Sequence, residues 1–124
     1  MSKDYKPTVV FDFDGVIHSY TSGWKGKDVI PDPPVDGIGK AIDSIREAGY
    51  QVVVVSTRCA TIEGLVAVKR YLYENNIHVD DVMKEKPPAV CYIDDRAIRF
   101  DGHAETLLEE VLNFKTWIEL NQEK

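Results

Sequence analysis

Two kinds of apolar block follow one another along this chain. Thr8-Val9-Val10-Phe11, Gln51-Val52-Val53-Val54-Val55 and Ala89-Val90-Cys91-Tyr92-Ile93 are short apolar runs with no polar alternation, the pattern of strands covered on both faces. Between them the spacing becomes helical. Val35, Ile38, Ile42 and Ile45 share one helical stripe with Gly49 as its stop; Ile62, Leu65, Val66, Leu72 and Tyr73 share another, opened by Thr61 and ended near Asn75-Asn76. Leu107, Leu108, Val111, Leu112 and Ile118 predict a third helix, and Asp81-Val82-Met83 a short additional strand. The alternation predicts an α/β chain of three-layer, Rossmann-like form, with a mainly parallel central sheet and right-handed crossovers.

Each long apolar run ends in polar residues, which is where the chemistry is expected. The first closes on Phe11-Asp12-Phe13-Asp14-Gly15, the second on Ser56-Thr57-Arg58, the third on Asp94-Asp95-Arg96, with Lys86-Pro87-Pro88 just before it. Ligands of open parallel sheets bind beyond the carboxyl ends of the strands, so these clusters should gather at one edge. Asp12 and Asp14 would share a face if the strand continued. A turn at Gly15 lets both carboxylates converge on a cation or a phosphoryl group instead. Asp-Gly also marks ordinary turns, and that plainer reading stands beside the functional one.

Composition narrows the field. The chain has 124 residues and a formal net charge of −6, enough for a single domain and too acidic for a protein that lives on nucleic-acid backbones, although a nucleotide substrate stays open. Asp12, Asp14, Asp94 and Asp95 placed together would repel one another by on the order of several kcal/mol at low dielectric without a cation. Ligands that are all oxygen point to a hard ion, and Mg²⁺ is the natural one beside a phosphate. Met1–Lys6 carries no apolar leader and no run is long enough to span a membrane, so a cytoplasmic protein is expected. Of the two cysteines, Cys91 lies inside an apolar run and reads as a packed, reduced thiol.

Taken in order, Asp12-Phe13-Asp14-Gly15, Ser56, Lys86 and Asp94-Asp95 resemble the four motifs of the haloacid dehalogenase (HAD) superfamily of phosphohydrolases, over roughly residues 8 to 100. The resemblance implies a Mg²⁺-dependent hydrolase of phosphate monoesters. Asp12 would be the nucleophile that becomes an aspartyl-phosphate, and Asp14 the acid that protonates the leaving oxygen and then the base that activates water. Ser56 would bind a phosphoryl oxygen and Lys86 would offset charge. The metal would be held by Asp12, the backbone carbonyl of Asp14 and the acidic pair, with Asp95 as direct ligand and Asp94 behind it. Neither interval between motifs has room for a cap domain. The site should therefore be open to phosphorylated small molecules or macromolecules, or be covered by a second copy of the chain.

Several positions keep two readings. Lys84 rivals Lys86, and Thr57 rivals Ser56. Arg58 and Arg96 either bind substrate anions or pair with neighbouring acids. Gly15, Thr57, Arg58 and Trp24 are the candidates for substrate contact; Trp24 either stacks on a ring or sugar or anchors the segment 16–34, which reads as a flap over the site. His18, His78 and His103 show no ligand spacing and read as surface or packed histidines. Receiver domains of bacterial signalling use a similar kit, but there Lys-Pro follows the last strand, whereas here Lys86-Pro87 precedes the last acidic pair. An inactive fold-mate that binds phosphate is a third reading, weakened because no expected catalytic residue is missing.

Overall fold

The computed structural model describes residues 5–123, so most of the Met1–Lys6 segment lies outside them. Strand β1 (Thr8–Asp12) leads through a long irregular connection to helix α1 (Ile38–Glu47), then come β2 (Gln51–Val55), a 3₁₀ turn (Thr57–Ala60), α2 (Ile62–Glu74), β3 (Asp81–Met83), β4 (Cys91–Ile93), α3 (Leu107–Leu112) and α4 (Trp117–Gln122). The four strands are all parallel and lie in the order β3-β2-β1-β4. This is the expected Rossmann-like α/β arrangement, with the short third strand in place.

The valine runs explain the sheet. Alternate residues of β1 and β2 point to opposite faces. Val9, Phe11, Val52 and Val54 join Ile42 of α1 and Val68, Tyr71 and Leu72 of α2 in the main core, while Val10, Val53 and Val55 form a smaller cluster on the other face. Thr61 caps α2 by accepting a hydrogen bond from the Gly64 amide, and a left-handed Asn76 follows its end.

Three expectations need correction. The third helix is two short ones, because Asn113 ends α3 and Thr116 caps α4, its hydroxyl accepting from the Glu119 amide. Strand β4 is only three residues long and sits at the sheet edge, so Cys91 is exposed rather than packed. Val35 precedes α1 instead of joining it. Among the described residues no helix is long and apolar enough to cross a membrane.

The strand order fixes the place of the site. From β1 the chain goes to β2 and outward to β3, then returns to the other side of β1 for β4. The crevice at such a reversal is where open α/β sheets bind ligands. Register does the rest: Asp12 pairs with Val55 and Phe11 with Ile93, which sets Ser56 and Asp94 at the same level as the end of β1.

Candidate active site

A cavity of about 380 Å³ opens at that reversal, and its walls include Asp12, Asp14, Ser56, Thr57, Lys86, Asp94, Asp95 and Trp24. Tyr20, Lys84 and Arg96 line it too. A larger groove of about 640 Å³ lies between the end of α2 and the start of β3, away from the strand C-termini, and holds none of these residues.

Asp12 is the last residue of β1, and its carboxylate lies with those of Asp94 and Asp95, one oxygen from each within 4.8 Å of the others. Such crowding of like charge shows in the titration of the group. Burial, the Asp94 charge and a hydrogen bond with Asp95 push the Asp12 carboxyl up to about 7, and burial also raises Asp95. Asp94 goes the other way. Burial acts to raise it, but the Arg96 amide and Lys86 outweigh that and hold it low, the amide donating to Oδ1 at 2.9 Å and the Lys86 ammonium to Oδ2 at 3.1 Å. A set of three convergent carboxylates, two of them driven toward the neutral form, fits a hard divalent cation.

Gly15 makes the approach possible. Its φ is +85°, and a Cβ there would sit inside the Asp95 carboxylate. Its amide donates to the His18 carbonyl at 2.8 Å and its carbonyl accepts from the Trp117 indole at 2.6 Å, so its polar groups hold the turn.

The Asp14 carboxylate does not join the cluster, contrary to the expected convergence with Asp12. Oδ2 accepts from Arg58 Nε at 2.8 Å; Oδ1 accepts from Arg58 Nη2 at 3.1 Å and from His18 Nδ1 at 2.8 Å. Burial alone would raise Asp14, but the His18 and Arg58 bonds outweigh it and the carboxyl is held below its usual range. His18 is wholly buried, and its Nε2 accepts from the Asp32 amide at 3.1 Å, which leaves the proton on Nδ1 to be donated to Asp14.

Arg58 is likewise placed where the sequence left it undecided. It is the largest wholly buried side chain, with Nη1 donating to the carbonyls of Gly26, Lys27 and Val29 while the other nitrogens hold Asp14. All three of its guanidinium nitrogens donate to the protein, which is the acid-pairing side of the two readings the sequence left open. Trp24 stacks on it, ring centroid 4.5 Å from the guanidinium carbon. Ser56 is buried and its oxygen accepts from the Arg58 amide at 3.2 Å, so the hydroxyl proton stays free to donate toward the cavity. His78 and His103 are exposed, as read from the sequence.

No family model matches the sequence, and neither does any curated protein. Solved structures do resemble it. Two chains from structures of the Pnkp1/Rnl/Hen1 RNA repair complex superpose with TM-scores of 0.54 and 0.51 at 16% and 18% identity, over 90% and 91% of this chain. The likeness is one of fold. This chain spans 33% and 36% of the length of those two, about a third. An MCSG target from Vibrio cholerae matches end to end, with TM-score 0.53 and 17% identity over 95% of this chain and 99% of that one.

Proposed function

We propose that the protein is a Mg²⁺-dependent phosphohydrolase of the HAD type, a single unit that cleaves phosphate monoesters through an aspartyl-phosphate on Asp12. The observation that carries this reading is the placement of Asp12 at the sheet's reversal point, beside Asp94 and Asp95 and across from Ser56. Asp12, the Asp14 carbonyl and Asp95 would hold the ion. Asp94 already spends both oxygens on the Arg96 amide and Lys86, which favours Asp95 for direct ligation. When bound, the ion neutralises charge shared by these carboxylates and the phosphoryl group.

An Asp12 oxygen attacks phosphorus, the bond from phosphorus to the ester oxygen breaks, and the departing oxygen takes a proton from Asp14. Water then attacks the phosphoryl group while Asp14 accepts its proton, and the Asp12–phosphorus bond breaks to release inorganic phosphate. Ser56 donates to a phosphoryl oxygen, and Lys86 supplies positive charge at the cavity wall. The bonds from Arg58 and His18 favour the Asp14 anion, which suits the water step; the acid step calls for that grip to loosen as the ester binds.

The segment 16–34 forms the flap beside this site, and the open cavity accepts a small phosphate ester or the end of a larger molecule. Likeness to chains of an RNA repair complex is compatible with a macromolecular substrate or partner. A direct test is hydrolysis of p-nitrophenyl phosphate with Mg²⁺ and again after exhaustive chelation. Turnover is expected only with the ion; equal turnover in both removes the metal from the reading, and none in either removes the hydrolase.

A further inference from the structure

The flap carries an aromatic pair that catalysis does not use. Tyr20 and Trp24 both line the cavity that holds Asp12, and Trp24 is 55% exposed although one face of its ring is covered by Arg58. The other face is therefore open. An indole left half in water costs hydrophobic free energy, and here the ring is held firmly where that cost is met. Arg58 is buried and all three of its guanidinium nitrogens donate to the protein, so the surface beneath the indole is rigid. The turn that presents the pair is also fixed. Tyr20 takes a left-handed φ of 60°, rare outside glycine, its carbonyl accepts from the Gly23 amide at 3.1 Å, and the Asp32 carboxylate accepts from the Ser22 amide and hydroxyl at 2.8 and 2.5 Å.

Building on the phosphatase reading, we infer that the ester's alcohol carries a flat ring which stacks on the open face of Trp24, and that the substrate is a nucleotide. A cation behind an aromatic ring leaves its free face for π-stacking, and every nucleobase offers such a face. Layering sets the spacing. The Arg58 guanidinium holds Asp14 along its Nε and Nη2 edge and carries Trp24 on its face, so the indole stands one side chain removed from Asp14. A ribose between base and phosphate supplies that separation; a phenyl ring bonded directly to the phosphate oxygen does not. Lys84 and Arg96, which line the same cavity, add positive charge for the phosphate. A mononucleotide and a terminally phosphorylated oligonucleotide share this chemistry.

The experiment compares kcat/KM for a nucleoside monophosphate, a short oligonucleotide with a terminal phosphate, and glycerol phosphate, in the native protein, Trp24→Ala and Trp24→Phe. At least one base-bearing ester is expected to be preferred over glycerol phosphate. Trp24→Ala should cut that preference about ten-fold, mainly through KM, and Trp24→Phe should restore most of it. Preference shared by both base-bearing esters, or confined to one, tells the free nucleotide from the strand end. No preference, or the same loss in the Ala and Phe variants, overturns the inference. A second readout separates it from the phosphatase reading: quenching of tryptophan fluorescence by nucleoside monophosphate in Asp12→Asn protein, compared with the Asp12→Asn, Trp24→Phe double variant. Quenching that needs Trp24 without turnover of any ester by the native protein supports the stack and removes the phosphatase; absence of quenching removes the stack.

Discussion

Arg58 grips Asp14 with two hydrogen bonds of 2.8 and 3.1 Å across 44 positions of sequence, and with its remaining nitrogen holds the carbonyls of Gly26, Lys27 and Val29. One side chain thus joins the end of β2, the turn after β1 and the segment 16–34, whose Tyr20 and Trp24 line the cavity. Removing it leaves a part-buried carboxylate and three carbonyls short of donors, a loss of the buried-pair kind. Arg58→Met is expected to cost about 3 kcal/mol, and so to lower the melting temperature by roughly 10 °C. Calorimetry checks this; a drop no larger than that of a surface substitution would show that the network is dispensable.

The acid and base roles of Asp14 separate in one variant. Asp14→Asn should slow hydrolysis of an alkyl phosphate by about 10²-fold or more, and that of a nitrophenyl ester much less, because a good leaving group scarcely needs a proton. Equal losses for both esters, with weakened Mg²⁺ binding, would make Asp14 a carboxylate ligand instead.

Gly15 is predicted to be intolerant for two separate reasons. Gly15→Ala places a Cβ where the Asp95 carboxylate lies and strains a φ of +85°. Displacing Asp95 should weaken Mg²⁺ binding by roughly ten-fold or more, measured by titration calorimetry. An unchanged affinity would take Asp95 out of the metal site.

Away from the cavity, Asp80 ties α1 to the sheet: its carboxylate accepts from Arg46 at 3.0 and 3.2 Å and from the Val52 amide at 2.8 Å. Burial acts to raise its carboxyl, but these partners outweigh it and hold it low. A depressed carboxyl stabilises the fold above its unfolded value near 4 and loses that contribution as pH falls through the folded value. Asp80→Asn should therefore lower stability near neutral pH by about 1 kcal/mol or less, since Arg46 is partly exposed and screened. The gap between variant and native protein should close as the pH drops below about 4. A gap that is constant with pH contradicts the assignment.

The sequence carried the frame of this site and missed its bracing. Asp12, Ser56 and Asp94-Asp95 were legible because each ends an apolar run, and parallel strands bring such ends together. Thr61 and Asn75-Asn76 were legible as local helix signals. The partners of Asp14 were not. His18 stands four residues on, but only the turn at Gly15 folds it back, and its fixing by the Asp32 amide depends on a contact 14 positions away. Arg58 read equally well as an anion-binding group or an acid's partner, because nothing local reveals that the carbonyls of Gly26, Lys27 and Val29 come within its reach. The third helix failed for the opposite reason: periodicity ran through Asn113 and Thr116, whose capping tendency broke it.

The account stands most directly on the covalent intermediate. Protein carrying Asp14→Asn, in which the water step is slowed, is incubated with p-nitrophenyl phosphate, whose leaving group scarcely needs the lost acid, and Mg²⁺, quenched in acid, and mapped by peptide mass spectrometry. One hydroxylamine-labile phosphoryl group on the peptide containing Asp12, absent when Asp12→Asn is added, is the predicted result. Labelling at another residue, or labelling that survives Asp12→Asn, would contradict the assignment of Asp12 as nucleophile.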